Sequence, residues 1–408
     1  MDKMDLIKEL SQKNEKKIIF FVIDGLGGIT YPEKGKTELE AAITPNLDKL
    51  AQESLCGLSV PISYGITPGS GPSHLSLFGY DPLKHDIGRG VLEALGLGLT
   101  MTKNDLAARA NFATLDYEKN IVVDRRAGRP ATEKTVELCK FLQEKIPNIG
   151  DVEIIIKPGK GHRFVVLFRG EGLGEKIYDN DPQKDGHEPH TIREHSPDNE
   201  SKKTSHIVNQ FIDKAMSLIK DNGAMNYVLV RGFSKYPAIP SMKEAYKLTP
   251  AAIAVYPMYK GLAQLVGMDI LKVPGETLSD EIALLKKEYN NYDFFYVHSK
   301  ETDAFGEDGN FEGKVNKLNE IDKIIPELLS LDPDVLVITG DHSTPAVIKG
   351  HSWHPVPLLL RSKYKVLNTG VKRFTEQECL KGYLGIFSAQ DVMPLAMANT
   401  FKLAKYGA

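Results

Sequence analysis

The chain has 408 residues, 41% of them hydrophobic, which is enough for two or three domains with ordinary cores. Its 51 basic and 54 acidic residues leave a formal net charge of -3, which excludes nucleic acid and membrane as expected partners but allows a local basic pocket. Cys56, Cys139 and Cys379 are scattered with no CxxC pair, as in a reducing compartment, and no apolar run is long enough to span a bilayer. The stretch 1–17 is charged and helical-looking, without the apolar region of a signal peptide, so a cytoplasmic protein is expected.

Helix and strand patterns alternate along the chain, which predicts an α/β fold with a mainly parallel sheet flanked by helices. The apolar run 18–23 reads as a buried strand and ends in Asp24-Gly25. A helix opens at Thr44-Pro45, with a capping threonine and a proline at its first position. The turn Thr67-Pro68-Gly69-Ser70-Gly71-Pro72 exposes a serine where another helix begins, and Gly79-Tyr80-Asp81-Pro82 stops that segment. From about Gly88 the pattern changes to paired strands, 108–115 with 121–123 and 152–156 with 164–168. A polar loop is predicted over 179–203, then a helix over 205–220 and a strand over 227–230. The first character returns after Tyr256, with a helix near Leu262, a strand over 294–298, a helix over 314–329 and a strand over 335–338. Gly340-Asp341-His342 follows that last strand. This order predicts a metal-binding α/β domain of residues 1–87 and 250–408, interrupted by an inserted α+β domain of residues 88–249.

Seven oxygen and nitrogen donors stand at strand ends or close after them: Asp24, Ser70, Asp303, Glu307, Asp341, His342 and His351. Asp303 and Glu307 share a face if that stretch is helical. Seven donors suffice for two divalent ions, and ions roughly 3.5–4 Å apart can stabilise both the attacking and leaving oxygens of phosphoryl transfer. Without a thiolate, the set suits manganese or zinc, with magnesium or cobalt as further possibilities. A serine at a helix start beside such ions is a candidate nucleophile, although each residue taken singly also reads as a turn, a cap or a solvated helix face.

The chain resembles the alkaline phosphatase superfamily and, within it, the archaeal-type cofactor-independent phosphoglycerate mutases. The words that carry the likeness run over nearly its whole length. They include Val22-Ile23-Asp24-Gly25, Thr67 to Leu75 and Gly79-Tyr80-Asp81-Pro82. Asp124-Arg125-Arg126-Ala127-Gly128-Arg129, Gly161-His162-Arg163-Phe164 and Tyr259-Lys260-Gly261-Leu262 follow, and the series closes with Thr339 to Pro345 and His351 to Pro357. The resemblance implies an alkaline-phosphatase-like metal-binding domain in which Ser70 accepts the phosphoryl group and also touches a metal. It implies one ion on Asp24, Asp341 and His342, and a second on Asp303, His351 and a third ligand. The family pattern places a histidine four residues after the first of those aspartates, where this chain has Glu307.

The resemblance further implies interconversion of 3-phosphoglycerate and 2-phosphoglycerate, a step of glycolysis and gluconeogenesis, through a phosphoserine. The inserted domain would clamp the substrate's phosphate and carboxylate with Arg125, Arg126, Arg129, His162 and Arg163, since guanidinium forks suit both groups. Lys260 would bridge the substrate phosphate and Ser70, or be an ordinary surface lysine. Two other readings compete: a metal-dependent phosphomonoesterase or phosphonate hydrolase of the same superfamily, and a non-catalytic phosphometabolite-binding protein.

Overall fold

The computed structural model describes residues 2–85, 87–365 and 370–407. Met1, at the start of the helical-looking segment, lies outside them; the helix itself spans Lys3–Leu10 and is capped by Asp2. Contacts divide the chain into two compact units, Met1–Asp86 with Ile239–Ala408, and Ile87–Ala238.

The first unit is built on an eight-stranded mixed sheet. Its strand order is Asp269–Ile270, Pro250–Ala254, Phe294–Ser299, Ile18–Ile23, Val335–Thr339, Val356–Ser362, Leu55–Val60 and Gly385–Ser388. All pairings are parallel except the two made by Val356–Ser362, the one strand that runs against the rest. The three central strands are buried along their whole length, as expected where a sheet is covered on both faces. That burial explains their unbroken apolar runs, which would expose half their side chains in a one-sided sheet.

Register decides where the polar residues fall. Ile23 lies opposite Ser299, and Val22 opposite Thr339, so three neighbouring parallel strands end level with one another. Asp24, the helix Glu301–Glu307 and Asp341-His342 therefore leave the sheet at the same edge, where α/β proteins collect ligands. The expected helix over 314–329 is two helices, Phe311–Asp322 and Ile325–Leu329, and Pro326 accounts for the break, having no N–H to continue the first.

The second unit has a six-stranded sheet whose pairings are all antiparallel, centred on the long strand Asp105–Asp116. Leu106, Ala108, Ala110 and Phe112 point into a core shared with the helices Thr132–Lys145 and Asn199–Ile219. The second helix starts six residues before the expected position, because Asp198 caps it through the Ser201 N–H at 2.8 Å. The alternate residues Arg109 and Asn111 face the other side of the sheet. Among the described residues, no helix is long and apolar enough to cross a membrane.

Candidate active site

The first unit gathers two overlapping groups of side chains that could hold a metal ion: Asp24, Asp341 and His342, and Asp303, His342 and His351. His342 belongs to both. Its Nε2 lies 3.1 Å from Asp341 Oδ2, 3.4 Å from Asp24 Oδ1 and 3.3 Å from Ser70 Oγ, while its Nδ1 lies 3.0 Å from Thr344 Oγ1. Thr344 in turn donates to Asp303 Oδ1 at 2.8 Å, fixing that carboxylate. His351 stacks on His342 with ring centroids 3.7 Å apart, and its Nε2 is 3.6 Å from Asp303 Oδ1.

Gly25 makes this close approach possible. Its φ of +63° lies in the left-handed region, and a Cβ there would meet Thr344 Oγ1 at 2.6 Å and Asp303 Cα at 2.9 Å. Ser70 is the first residue of the helix Ser70–Leu77, and the positive end of the helix dipole at that terminus favours an anion. Ser73 and His74 lie behind it: Ser73 Oγ donates to the Ser70 carbonyl, and His74 Nδ1 sits 2.8 Å from the same oxygen.

The electrostatics are those of a cation site. Burial and the adjacent Asp341 push the Asp24 carboxyl up to about 7, and burial with Asp303 nearby pushes Asp341 up to about 6. Burial lowers His342 to about 3 and His74 to about 4, so both imidazoles stay neutral. Asp24 Oδ1 is buried without a hydrogen-bond partner. The Lys300 ammonium bonds Asp303 and lies 3.1 Å from Asp24 Oδ2, which places a positive charge between two buried carboxylates. An acceptor-rich, thiolate-free set with an orphaned carboxylate oxygen fits a divalent ion.

Glu307 stands at the rim, its side chain 54% exposed and its Oε1 3.8 Å from His351 Nε2. The roles expected of Lys260 are a bridge between the substrate phosphate and Ser70, or an ordinary surface lysine. It is half-buried on the helix Pro257–Leu265 and acts on the buried carboxyl of Glu281; among the described residues no hydrogen bond or ion pair joins it to Ser70. Its neighbour Tyr259 is the residue of that helix that reaches the cluster, donating its hydroxyl to Asp24 Oδ2. Tyr259, His74, His298 and Lys300 are thus the site residues that sequence reasoning passed over. His298 Nε2 is 3.5 Å from Asp24 Oδ2 and both its ring nitrogens lack a hydrogen-bond partner.

The second unit holds a cavity of about 580 Å³ lined by Arg109, Arg125, Arg126, Arg129, Arg163 and Arg231, with Asn111, Lys160 and His162. All five residues expected to clamp a substrate line it. Register explains the additions: Arg109 pairs with Arg231 across one ladder and Asn111 with Arg163 across the other. The turn after Asp124 is held by that carboxylate, which accepts from the N–H groups of Arg126 and Gly128. Ala127, Gly128 and Arg129 all have positive φ, which bends the turn tightly. Burial, with Arg163 and Arg126 alongside, lowers His162.

A family model described as 2,3-bisphosphoglycerate-independent phosphoglycerate mutase matches residues 51–224. A Thermotoga maritima protein named probable 2,3-bisphosphoglycerate-independent phosphoglycerate mutase is 56% identical over 408 residues, covering all of both chains. An Aquifex aeolicus protein of the same name is 54% identical over 99% of this chain and all of its own. The structure of a cofactor-independent phosphoglycerate mutase from Thermoplasma acidophilum aligns with a TM-score of 0.77 at 34% identity, covering 94% of this chain and 99% of that one. A Pyrococcus horikoshii structure aligns at 0.79 with 31% identity, over 97% of this chain and the whole of its own.

Proposed function

The chain belongs to the 2,3-bisphosphoglycerate-independent phosphoglycerate mutases, and from that premise we propose how its residues interconvert 3-phosphoglycerate and 2-phosphoglycerate. The reaction class is an isomerisation, the transfer of one phosphoryl group between two hydroxyls of the same molecule. The observation that carries the proposal is Ser70 at a helix N-terminus, 3.3 Å from His342, beside the buried Asp24 and Asp341.

Asp24, Asp341 and His342 would hold one divalent ion and Asp303 and His351 a second, with Glu307 as a further donor. Manganese or zinc suits that set best. Such ions, when bound, favour the serine alkoxide and offset charge on the transferring phosphoryl group. Ser70 Oγ attacks phosphorus in line, the bond from phosphorus to the substrate oxygen breaks, and the glycerate hydroxyl takes up a proton. The positive end of the helix dipole at the start of Ser70–Leu77 favours the phosphoserine. Glycerate must then stay bound, turn, and take the phosphoryl group back on its other hydroxyl. The arginine-lined cavity of the inserted unit is equipped to hold the carboxylate of glycerate, and the phosphate of the intact substrate, by bidentate forks. The α/β unit is accordingly read as the alkaline-phosphatase-like metal domain, and the inserted unit as the substrate clamp.

The test supplies 3-phosphoglycerate and manganese and follows 2-phosphoglycerate and free phosphate together. Isomer without phosphate is expected, and Ser70→Ala should lower turnover at least about a thousandfold, far beyond the loss of a helix cap. Phosphate release in place of isomer would make the protein a hydrolase, and near-normal turnover of Ser70→Ala would remove the phosphoserine.

A further inference from the structure

We propose that Asp181 is a positioning residue for substrate binding: it holds Arg125 and Arg231 in place in the anion cavity before any ligand arrives. The inference rests on the reading of that cavity as the phosphoglycerate clamp. Asp181 does not line the cavity. It sits behind it, in the polar loop before Asn199–Ile219, with its side chain fully buried. Its two oxygens accept from Arg125 Nε and Nη2, each at 2.7 Å, in a fork-to-fork pair. Arg231 Nη1 lies 3.2 Å from Oδ2, and the Gln183 N–H donates to Oδ1 at 2.8 Å. Burial alone would raise the Asp181 carboxyl, but these bonds and the two guanidinium charges outweigh it and hold the group below its ordinary value. A single buried carboxylate therefore orders two of the six arginines.

The remaining arginines are held differently. Arg126, Arg129 and Arg163 are exposed, and among the described residues they have no ion-pair partner. Arg109 lies 3.3 Å from Glu93. The cavity thus combines a preset pair with exposed guanidinium groups that have no ion-pair partner among the described residues. A guanidinium fixed in advance loses no rotamer freedom when the anion binds, and that saving appears as affinity.

Coulomb's law and preorganisation make opposite forecasts here, which gives the proposal its test. Asp181→Asn removes a negative charge from a cationic cavity, so attraction alone predicts tighter binding of 3-phosphoglycerate. Loss of preset arginines predicts weaker binding. Asp105 supplies a matched control, being equally buried and forked to Arg169 at 2.8 and 2.9 Å in the same unit but away from the cavity. For Asp181→Asn we expect KM for 3-phosphoglycerate to rise about tenfold or more while kcat changes less than about threefold. Asp105→Asn should cost similar thermal stability and leave KM unchanged. An unchanged or lower KM in Asp181→Asn overturns the proposal, as does an equal rise of KM in both variants. If Asp181→Asn does not fold, Asp181→Glu, whose longer side chain cannot keep both guanidinium groups in register, takes its place with the same criteria. Calorimetric binding of 3-phosphoglycerate to wild type and variant separates this from the functional reading. If wild type binds but does not isomerise, the mutase reading fails and the Asp181 comparison still decides.

Discussion

Glu307 is the candidate ligand most directly open to test. It follows Asp303 by one helical turn, and its carboxylate is the exposed donor nearest His351. An imidazole in its place would be neutral and softer; a carboxylate adds negative charge and prefers harder ions. If it is a ligand of the second ion, Glu307→Ala should lower the bound manganese measured by elemental analysis and depress turnover strongly. Glu307→His should keep the ion and shift preference from manganese toward zinc or cobalt in competitive metal titrations. Unchanged stoichiometry and rate in Glu307→Ala would mean that a different donor, such as Asp308 or His354, completes the site. A solvated glutamate would change stability by less than about 0.5 kcal/mol and leave chemistry alone.

Strands and their registers set what could be read from the sequence. Asp24 and Asp341-His342 were legible because each follows an unbroken apolar run, the mark of a buried parallel strand ending at the ligand edge. Arg125, Arg126, Arg129, His162 and Arg163 were legible as clusters beside glycine turns. Arg109 and Arg231 were not, since each is a single charge within its strand and only the ladder pairs them. Asp181 was lost in a stretch whose composition says only that it is a loop, and His298 at the end of an apolar strand gives no sign of which neighbour it faces.

The same level strand ends crowd two carboxyls together, and a pH dependence follows. Asp24 at about 7 and Asp341 at about 6 keep protons that an unfolded chain would give up near 3.8, so their share of metal-free stability falls as pH rises through that window. His342 at about 3 and His74 at about 4 do the reverse below 6.5, since the unfolded chain binds their protons more readily. The two trends oppose one another in stability. They do not oppose one another in metal binding, because the imidazoles are already neutral and only the carboxyls have protons to lose. Manganese affinity should therefore rise from about pH 5 to about pH 7 and then level. Proton release, read by calorimetry in buffers of different ionisation enthalpy, should be large at the acid end and small above pH 7. Release that stays constant across this range would contradict protonated carboxyls in the empty site.

At the scale of the whole molecule, each of the two units has its own hydrophobic cluster among the described residues. One gathers Phe21, Ile253, Phe295 and Ile338 from the large sheet; the other gathers Phe112, Phe164 and Phe168 from the small one with Phe211 from the helix Asn199–Ile219. The donor cluster and the arginine cavity are thus carried by different compact units, joined where the chain passes from residue 86 to 87 and from 238 to 239. A ligand stabilises the unit that binds it, by an amount set by concentration over its dissociation constant. Amide hydrogen exchange should separate the two. Manganese alone should slow exchange in Ile18–Ile23 and Val335–Thr339, whose ends carry Asp24, Asp341 and His342, and leave Asp105–Asp116 and Arg163–Arg169 as they were. In the presence of a chelator, 3-phosphoglycerate should do the converse, slowing exchange in the second pair of strands through the arginines they bear. Equal protection of both units by manganese alone would mean that the cores unfold as one, and the division of labour between metal site and anion cavity would then have no counterpart in their stability.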